Sequence, residues 1–312
     1  MFRVQTPGLL STLQDLGRVG YQNTGMPVAG AMDPFALQVA NLLVGNARGA
    51  AALELTLLGP TLEVLGDVTI AVCGADLSAR LDDAPLPLWR TAALRAGQTL
   101  RWGRRVSGAR AYLAVAGGLD VPEALGSRST FLRAGIGGFA GRALRAGDVL
   151  RGEGATAVQS GRALAPSAVP IYSSSATVRV VSGPHEDAFA PATLATFFTS
   201  EYMLSAQSDR MGYRLDGPSL SCRSERQGVL LSEAVPWGGV QIPPDGQPIL
   251  LMADRQTTGG YPLIAVVATA DRPRCAQLAP GDSVSFQPIS LEEAQEADAA
   301  QERLLALLGS VQ

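Results

Sequence analysis

The sequence contains no lysine: all 25 basic residues among its 312 are arginine. That excludes a P-loop lysine, a biotin-carrying lysine and a Schiff-base lysine. There is one histidine, His185, so a His-based metal cluster is excluded, and any nucleophile–His pair would have to use that residue. No metal site is expected. The three cysteines, Cys73, Cys222 and Cys275, are odd in number and far apart. They read as buried free thiols of a reducing cytoplasm, not as disulfides or a metal knot. No run of 18 apolar residues exists to span a bilayer, and Met1-Phe2-Arg3-Val4-Gln5-Thr6-Pro7 is no signal peptide, so a cytoplasmic protein without a membrane partner is expected. Charge of one sign is also missing. The net charge is −3, the pI is about 5.3, and no basic stripe offers itself to a phosphate backbone, which argues against nucleic acid as a partner. If the chain is an enzyme, acid–base work falls to Asp, Glu, Tyr or His185, and positive charge to Arg.

What is present is a large apolar fraction, 46%, over a length suited to two domains. Residues 1–30 are Gly-rich and read as irregular. Asp33-Pro34 then starts a helix, with Asp as N-cap and Pro at the first position, and Gly45 ends it. Strand-like runs follow at 68–72, 77–81, 99–102, 111–116 and 148–150. A Gly/Ala/Ser/Pro-rich segment, 151–175, reads as a linker. Further strand-like runs lie at 178–181, 229–232, 249–253, 263–268 and 283–286. A tail helix opens on the capping box Ser290…Glu293. Many short strands and few helices suggest barrels or sandwiches. The halves echo each other in order: Asp33-Pro34-Phe35-Ala36 and Asp187-Ala188-Phe189-Ala190, Gly59-Pro60-Thr61-Leu62 and Gly217-Pro218-Ser219-Leu220, Ala75-Asp76 and Ala253-Asp254, Ala96-Gly97-Gln98 and Pro280-Gly281-Asp282. This predicts a duplicated domain, 1–165 and 166–312.

One stretch concentrates the chemistry. Residues 243–262 open with the turn Pro243-Pro244-Asp245-Gly246 and continue as the apolar run Ile249-Leu250-Leu251-Met252-Ala253. Asp254, Arg255, Gln256, Thr257 and Thr258 follow at once, then Gly259-Gly260, Tyr261 and Pro262. A buried strand ending in a carboxylate, a guanidinium, an amide and two hydroxyls is a way to hold a site on a rigid scaffold. Three other polar clusters stand out. They are Ser208-Asp209-Arg210-Met211-Gly212-Tyr213-Arg214, Gly126-Ser127-Arg128-Ser129-Thr130, and Ser182-Gly183-Pro184-His185-Glu186-Asp187. For His185, a surface or helix-capping place weighs against a catalytic one.

These segments, with Gln14-Asp15-Leu16-Gly17-Arg18, Gly30-Ala31-Met32-Asp33, Leu43-Val44-Gly45-Asn46 and Gly117-Gly118-Leu119-Asp120-Val121-Pro122, resemble the allophanate hydrolase subunit 2 or KipA-like family. That family includes the C subunit of ATP-dependent 5-oxoprolinase and the matching half of the urea carboxylase carboxyltransferase domain. The resemblance spans nearly the whole chain. It departs from the family pattern at Pro236-Trp237, where smaller residues are expected, a change that would reshape a wall of the site or a contact surface. It implies a mainly β fold of two cyclophilin-like β-barrel domains with a few peripheral helices. The partners it implies are the A subunit of 5-oxoprolinase plus a KipI-like B subunit, with ATP bound by the complex. The implied activity is hydrolysis of a cyclic amide, 5-oxoproline to glutamate. Transfer of carboxylate from biotin to urea and KipA-type binding of a KipI-like kinase inhibitor are the alternatives; the absence of biotin carboxylase and carrier segments favours the first. Fixed donors polarising an unreactive amide would be Arg255, Arg210, Thr257 and Thr258, with Asp254 as base or as orienter of Arg255. Gln256, Gly259, Gly260 and Tyr261 complete the expected substrate-binding set.

Overall fold

A computed structural model describes residues 1–154, 161–223 and 230–310. The chain divides into two compact units. Unit 1 comprises residues 1–19, 29–172 and 304–312; unit 2 comprises 20–28 and 173–303.

Unit 1 carries β1 (Phe2–Thr6), β2 (Leu10–Gln14), α1 (Pro34–Leu43), β3 (Ala52–Thr56), β4 (Thr61–Val64), β5 (Val68–Asp76), β6 (Arg80–Leu81), β7 (Ala84–Pro85), β8 (Thr91–Leu94), β9 (Thr99–Arg101), β10 (Ser107–Val115) and β11 (Val149–Leu150). Six strands form one sheet in the order β11-β1-β4-β9-β6-β7, and five form another in the order β2-β3-β10-β5-β8. Phe2, Val4, Leu62 and Leu100 from the first sheet and Leu13, Leu53, Ile70, Val72 and Leu113 from the second share one buried core. Strands β5 and β10 are apolar at almost every position because α1 covers their second face. Ala71, Cys73, Tyr112 and Ala114 pack there with Phe35, Leu37 and Val39. The start of α1 is as expected: Asp33 Oδ1 accepts from the Ala36 N–H at 2.9 Å and Pro34 takes the first turn.

Unit 2 carries β12 (Ser175–Ser182), α2 (Pro191–Thr199), β13 (Glu201–Leu204), β14 (Gly212–Asp216), β15 (Glu233–Ala234), β16 (Gly239–Gln241), β17 (Ile249–Leu251), β18 (Thr258–Gly259), β19 (Leu263–Val267), α3 (Arg272–Ala276) and β20 (Ser283–Pro288). Seven strands close a barrel in the order β12-β19-β16-β17-β14-β13-β20. The closing pair β12–β20 is parallel and the remaining pairs are antiparallel. Val178, Val180, Tyr202, Leu215, Leu250 and Phe286 are buried, and the Phe197 ring of α2 stacks on Phe286 at 4.6 Å. The tail helix α4 (Leu291–Ser310) begins on the expected reciprocal cap. Glu293 N–H donates to Ser290 Oγ at 3.1 Å and Ser290 N–H to Glu293 Oε2 at 2.8 Å.

The mainly β class with few helices therefore holds. Several local expectations do not. Residues 1–30 are not merely irregular: β1 and β2 lie there, with Gly8 and Gly17 between or beyond them rather than inside them. Of 77–81 only Arg80–Leu81 is strand, because Ser78 takes a φ of 54° and its N–H is held by Asp76 Oδ1 at 2.8 Å. Of 229–232, Val229 lies outside the described residues and the rest is not strand; pairing begins at Glu233. Of 151–175, residues 155–160 lie outside the described residues. The portion after them docks on α1: Leu164 is buried, Val169 and Tyr172 pack beside it, and Tyr172 Oη donates to Asp33 Oδ2 at 3.1 Å. Apolar side chains in a turn-rich segment anchor it to the core.

Candidate functional site

The residues 243–262 run through the heart of unit 2. The opening turn forms as expected: Gly246 N–H donates to the Pro243 carbonyl at 2.9 Å and Gly246 has a φ of 77°. Strand β17 is flanked by β14 and β16, with Leu250 opposite Tyr213 on one side and Val240 on the other. It ends at Leu251, two residues earlier than the apolar run, because Met252 and Asp254 leave the ladder to bond with the preceding cluster. Met252 N–H donates to the Met211 carbonyl at 2.9 Å and Asp254 N–H to the Arg210 carbonyl at 2.8 Å. Arg255 N–H then turns back to the Met252 carbonyl at 3.2 Å.

This backbone pairing brings Arg210 onto Asp254. Arg210 Nε donates to Asp254 Oδ2 and Nη2 to Oδ1, both at 3.0 Å. Both residues are buried, at 6% and 4% relative exposure, so the pair is a desolvated fork-to-carboxylate clamp and not a surface ion pair. Asp209 stiffens the turn, its Oδ1 accepting from Met211 N–H at 2.8 Å and Gly212 N–H at 3.2 Å.

Arg255 goes elsewhere. It is half-buried and its Nε donates to the Val235 carbonyl at 3.2 Å. Burial, and then the nearby Arg272 charge, push its pKa down to about 10, so it remains a cation at neutral pH. Gln256 Nε2 donates to Gln241 Oε1 at 3.2 Å, and the buried Gln241 donates to the Tyr261 carbonyl at 3.4 Å. Thr258 and Gly259 pair with Glu233 and Ala234 as the β15–β18 ribbon. A Cβ on Gly259 would come within 2.6 Å of Gln241 Nε2 and 3.3 Å of Gln256 Nε2, so the glycine leaves room for the amide pair. Thr257 is half-buried and Thr258 exposed; the Gly260 carbonyl accepts from Leu230 N–H at 2.8 Å. Tyr261 and Pro262, with Leu220, Cys222, Ile242 and Pro243, line a cleft of about 410 Å³.

His185 sits at the N-cap of the 3-10 turn Glu186–Ala188, but its side chain makes no capping hydrogen bond. Its Nδ1 accepts from Leu263 N–H at 3.2 Å, which puts the proton of the neutral ring on Nε2, 3.2 Å from Glu233 Oε1. It ties β19 to the ribbon that carries Thr258. Two residues escaped notice as members of this neighbourhood. Arg272, at the head of α3, lies with its guanidinium 5.1 Å from the centroid of the Trp237 ring, and burial holds its pKa below the ordinary arginine range. Its only sequence signal was an arginine before a proline. Gln241, the last residue of β16, was not among the expected site residues.

The segments Gln14–Arg18 and Gly126–Thr130 meet within unit 1. Asp15 Oδ1 accepts from Ser127 Oγ at 2.8 Å and from Ser129 Oγ, and Oδ2 accepts from Arg128 N–H at 2.6 Å. Arg18 is fully buried and donates to the Ser129 carbonyl. This is an internal clasp. Cys73 and Cys275 are buried free thiols, as expected, and Cys222 is half-buried; burial raises the pKa of all three, Cys275 to about 12. Among the described residues no cluster of His, Cys, Asp and Glu is arranged to hold a metal ion, and no helix is long and apolar enough to cross a membrane.

The chain as a whole matches known relatives. Residues 24–288 match the family described as carboxyltransferase domain, subdomain A and B, and the chain belongs to it. It is 43% identical to the 5-oxoprolinase C subunit of Escherichia coli, covering 97% of this chain and 96% of that one. It is 42% identical to the protein of the same name from Haemophilus influenzae, covering 91% and 90%. The solved Kluyveromyces lactis urea carboxylase superposes with a TM-score of 0.93 at 33% identity, over 98% of this chain but 29% of that one.

Proposed function

We propose that the chain is the C subunit of an ATP-dependent 5-oxoprolinase, a cytoplasmic complex that opens 5-oxoproline to glutamate. The observation that carries this is end-to-end similarity at 42–43% identity to the 5-oxoprolinase C subunits of two bacteria. Such a name implies companions, and the reading supplies them as the A subunit plus a KipI-like B subunit, with ATP bound by the complex.

In this reading the chain's part is to hold and polarise the lactam. Arg255, Thr257 and Thr258 supply donors toward the oxygen on which charge develops. Gln256, Gly259, Gly260 and Tyr261 shape the surface against which the ring lies. Arg210 and Asp254 act through Arg255. With both carboxylate oxygens of Asp254 engaged by Arg210, the clamp fixes the turn at 252–255 and aims the next side chain. Such a positioning role suits a buried, fully occupied pair better than proton transfer does.

The fold likeness to urea carboxylase supports a second reading, carboxyl transfer from carboxybiotin on another protein to urea. Mixing the chain with the subunits encoded beside it and measuring 5-oxoproline-dependent ATP hydrolysis separates the two. Little turnover is expected from the chain alone and full turnover from the mixture. Stimulation only by carboxybiotin and urea would move the assignment to the carboxyltransferase. Loss of a kinase inhibitor's effect with no turnover at all would make the chain a KipA-type regulator.

A further inference from the structure

Among the described residues, the four arginines of unit 2 that are not exposed fall into two kinds. Arg210 is forked onto Asp254, and Arg179 onto Asp271 at 2.9 and 2.7 Å. Arg255 and Arg272 have no ion pair among the described residues. Arg255 spends its Nε on a backbone carbonyl, and the buried Nε of Arg272 has no hydrogen-bond partner among the described residues. One short segment brackets both: the Val235 carbonyl holds Arg255 and the Trp237 ring carries Arg272. The two charges repel, and removing water from around them makes the repulsion stronger. A folded protein keeps such a pair where something outside the chain offsets it. The charge of Asp298 also reaches Arg272 and offsets part of it.

We propose that Arg255, Arg272 and Trp237 form the subsite for a substrate carboxylate, so that the protein takes a carboxylate-bearing cyclic amide and rejects a neutral amide such as urea. This rests on reading residues 254–261 as the substrate site. Planar guanidinium forks match a planar carboxylate, and the indole face keeps one fork flat and partly dry. The carboxylate anchors the molecule while the amide lies toward Thr257 and Thr258.

The test is calorimetric titration of the full chain with 5-oxoproline, with 2-pyrrolidinone (the same ring without the carboxylate), with urea and with inorganic phosphate. 5-Oxoproline is expected to bind at least about tenfold more tightly than the neutral amides. Arg272→Gln should weaken it roughly 10- to 150-fold, the value of one charged hydrogen bond, and leave 2-pyrrolidinone unaffected. Arg272→Lys, which keeps the charge and loses the fork, should fall between. The melting temperature of R272Q should hold or rise, since one of two repelling charges is gone. Equal binding by R272Q and the parent, no binding of 5-oxoproline, tighter binding of phosphate, or collapse of the R272Q melting transition would each overturn the subsite. Carboxylate binding without 5-oxoproline-dependent ATP hydrolysis in the assembled complex would instead sink the 5-oxoprolinase reading and leave the subsite standing.

Discussion

Replacing Asp254 by Asn is the sharpest perturbation of the clamp, because it keeps shape and removes charge. Arg210 and Asp254 meet through two hydrogen bonds of 3.0 Å and are nearly inaccessible to water. At that separation and an effective dielectric constant near 20 the Coulomb attraction is about 5 kcal/mol. Most of it is offset by the cost of stripping water from two ions, so the intact pair adds little beyond what a well-packed apolar pair would. Removing one partner is different. The guanidinium stays buried without the Asp254 charge, and the expected loss is about 3–5 kcal/mol. For a unit of this size that lowers the melting temperature by roughly 6–20 °C. The double variant Arg210→Met/Asp254→Leu leaves no orphan charge, so its loss should be well below the sum of the single losses. Hydrogen exchange should localise the effect, with β14 and β17 losing protection first and the sheets of unit 1 unchanged. A loss under about 1 kcal/mol for D254N would show that the carboxylate is solvated in solution. Strict additivity of the two single changes would show that the clamp is not a unit. Either result refutes the positioning role built on it.

Other expectations follow from the same geometry. Arg255→Lys keeps the cation and loses the fork, so activity of the assembled complex should fall about tenfold or more while the melting temperature hardly moves, read by initial rates and calorimetry. Gly259→Ala should disturb the Gln241–Gln256 amide pair and raise KM more than it lowers stability, since its Cβ meets a side-chain terminus rather than backbone. Asp15→Ala should strip the acceptor from Ser127, Ser129 and the Arg128 N–H, costing about 3 kcal/mol or more in unit 1 and leaving unit 2 exchange rates unchanged. The Asp148 carboxylate is held below its usual range by hydrogen bonds from Arg142, so its contribution is present above pH 3.8 and lost as pH falls through its lower folded value. Acid unfolding of Asp148→Asn should lack that part of the pH dependence.

The sequence alone determined what is local or periodic. Asp33-Pro34 capped a helix and Ser290…Glu293 boxed another, because capping depends on a side chain reaching its own next turn. The apolar runs at 111–116 and 249–253 were legible as strands because a strand covered on both faces has no polar position to spare. The absence of lysine fixed in advance that any cationic recognition would be by guanidinium. Short strands such as β1 and β2 were not legible, since five residues among glycines carry too little periodicity. Which arginine meets which acid was not legible either. Arg210 and Asp254 are 44 residues apart, and the backbone bonds that join their segments make them partners. The same folding turns Arg255 away from that carboxylate and sets it near Arg272. Charge pairing is decided by distances of a few ångströms, and only the closed barrel brings those residues within that reach.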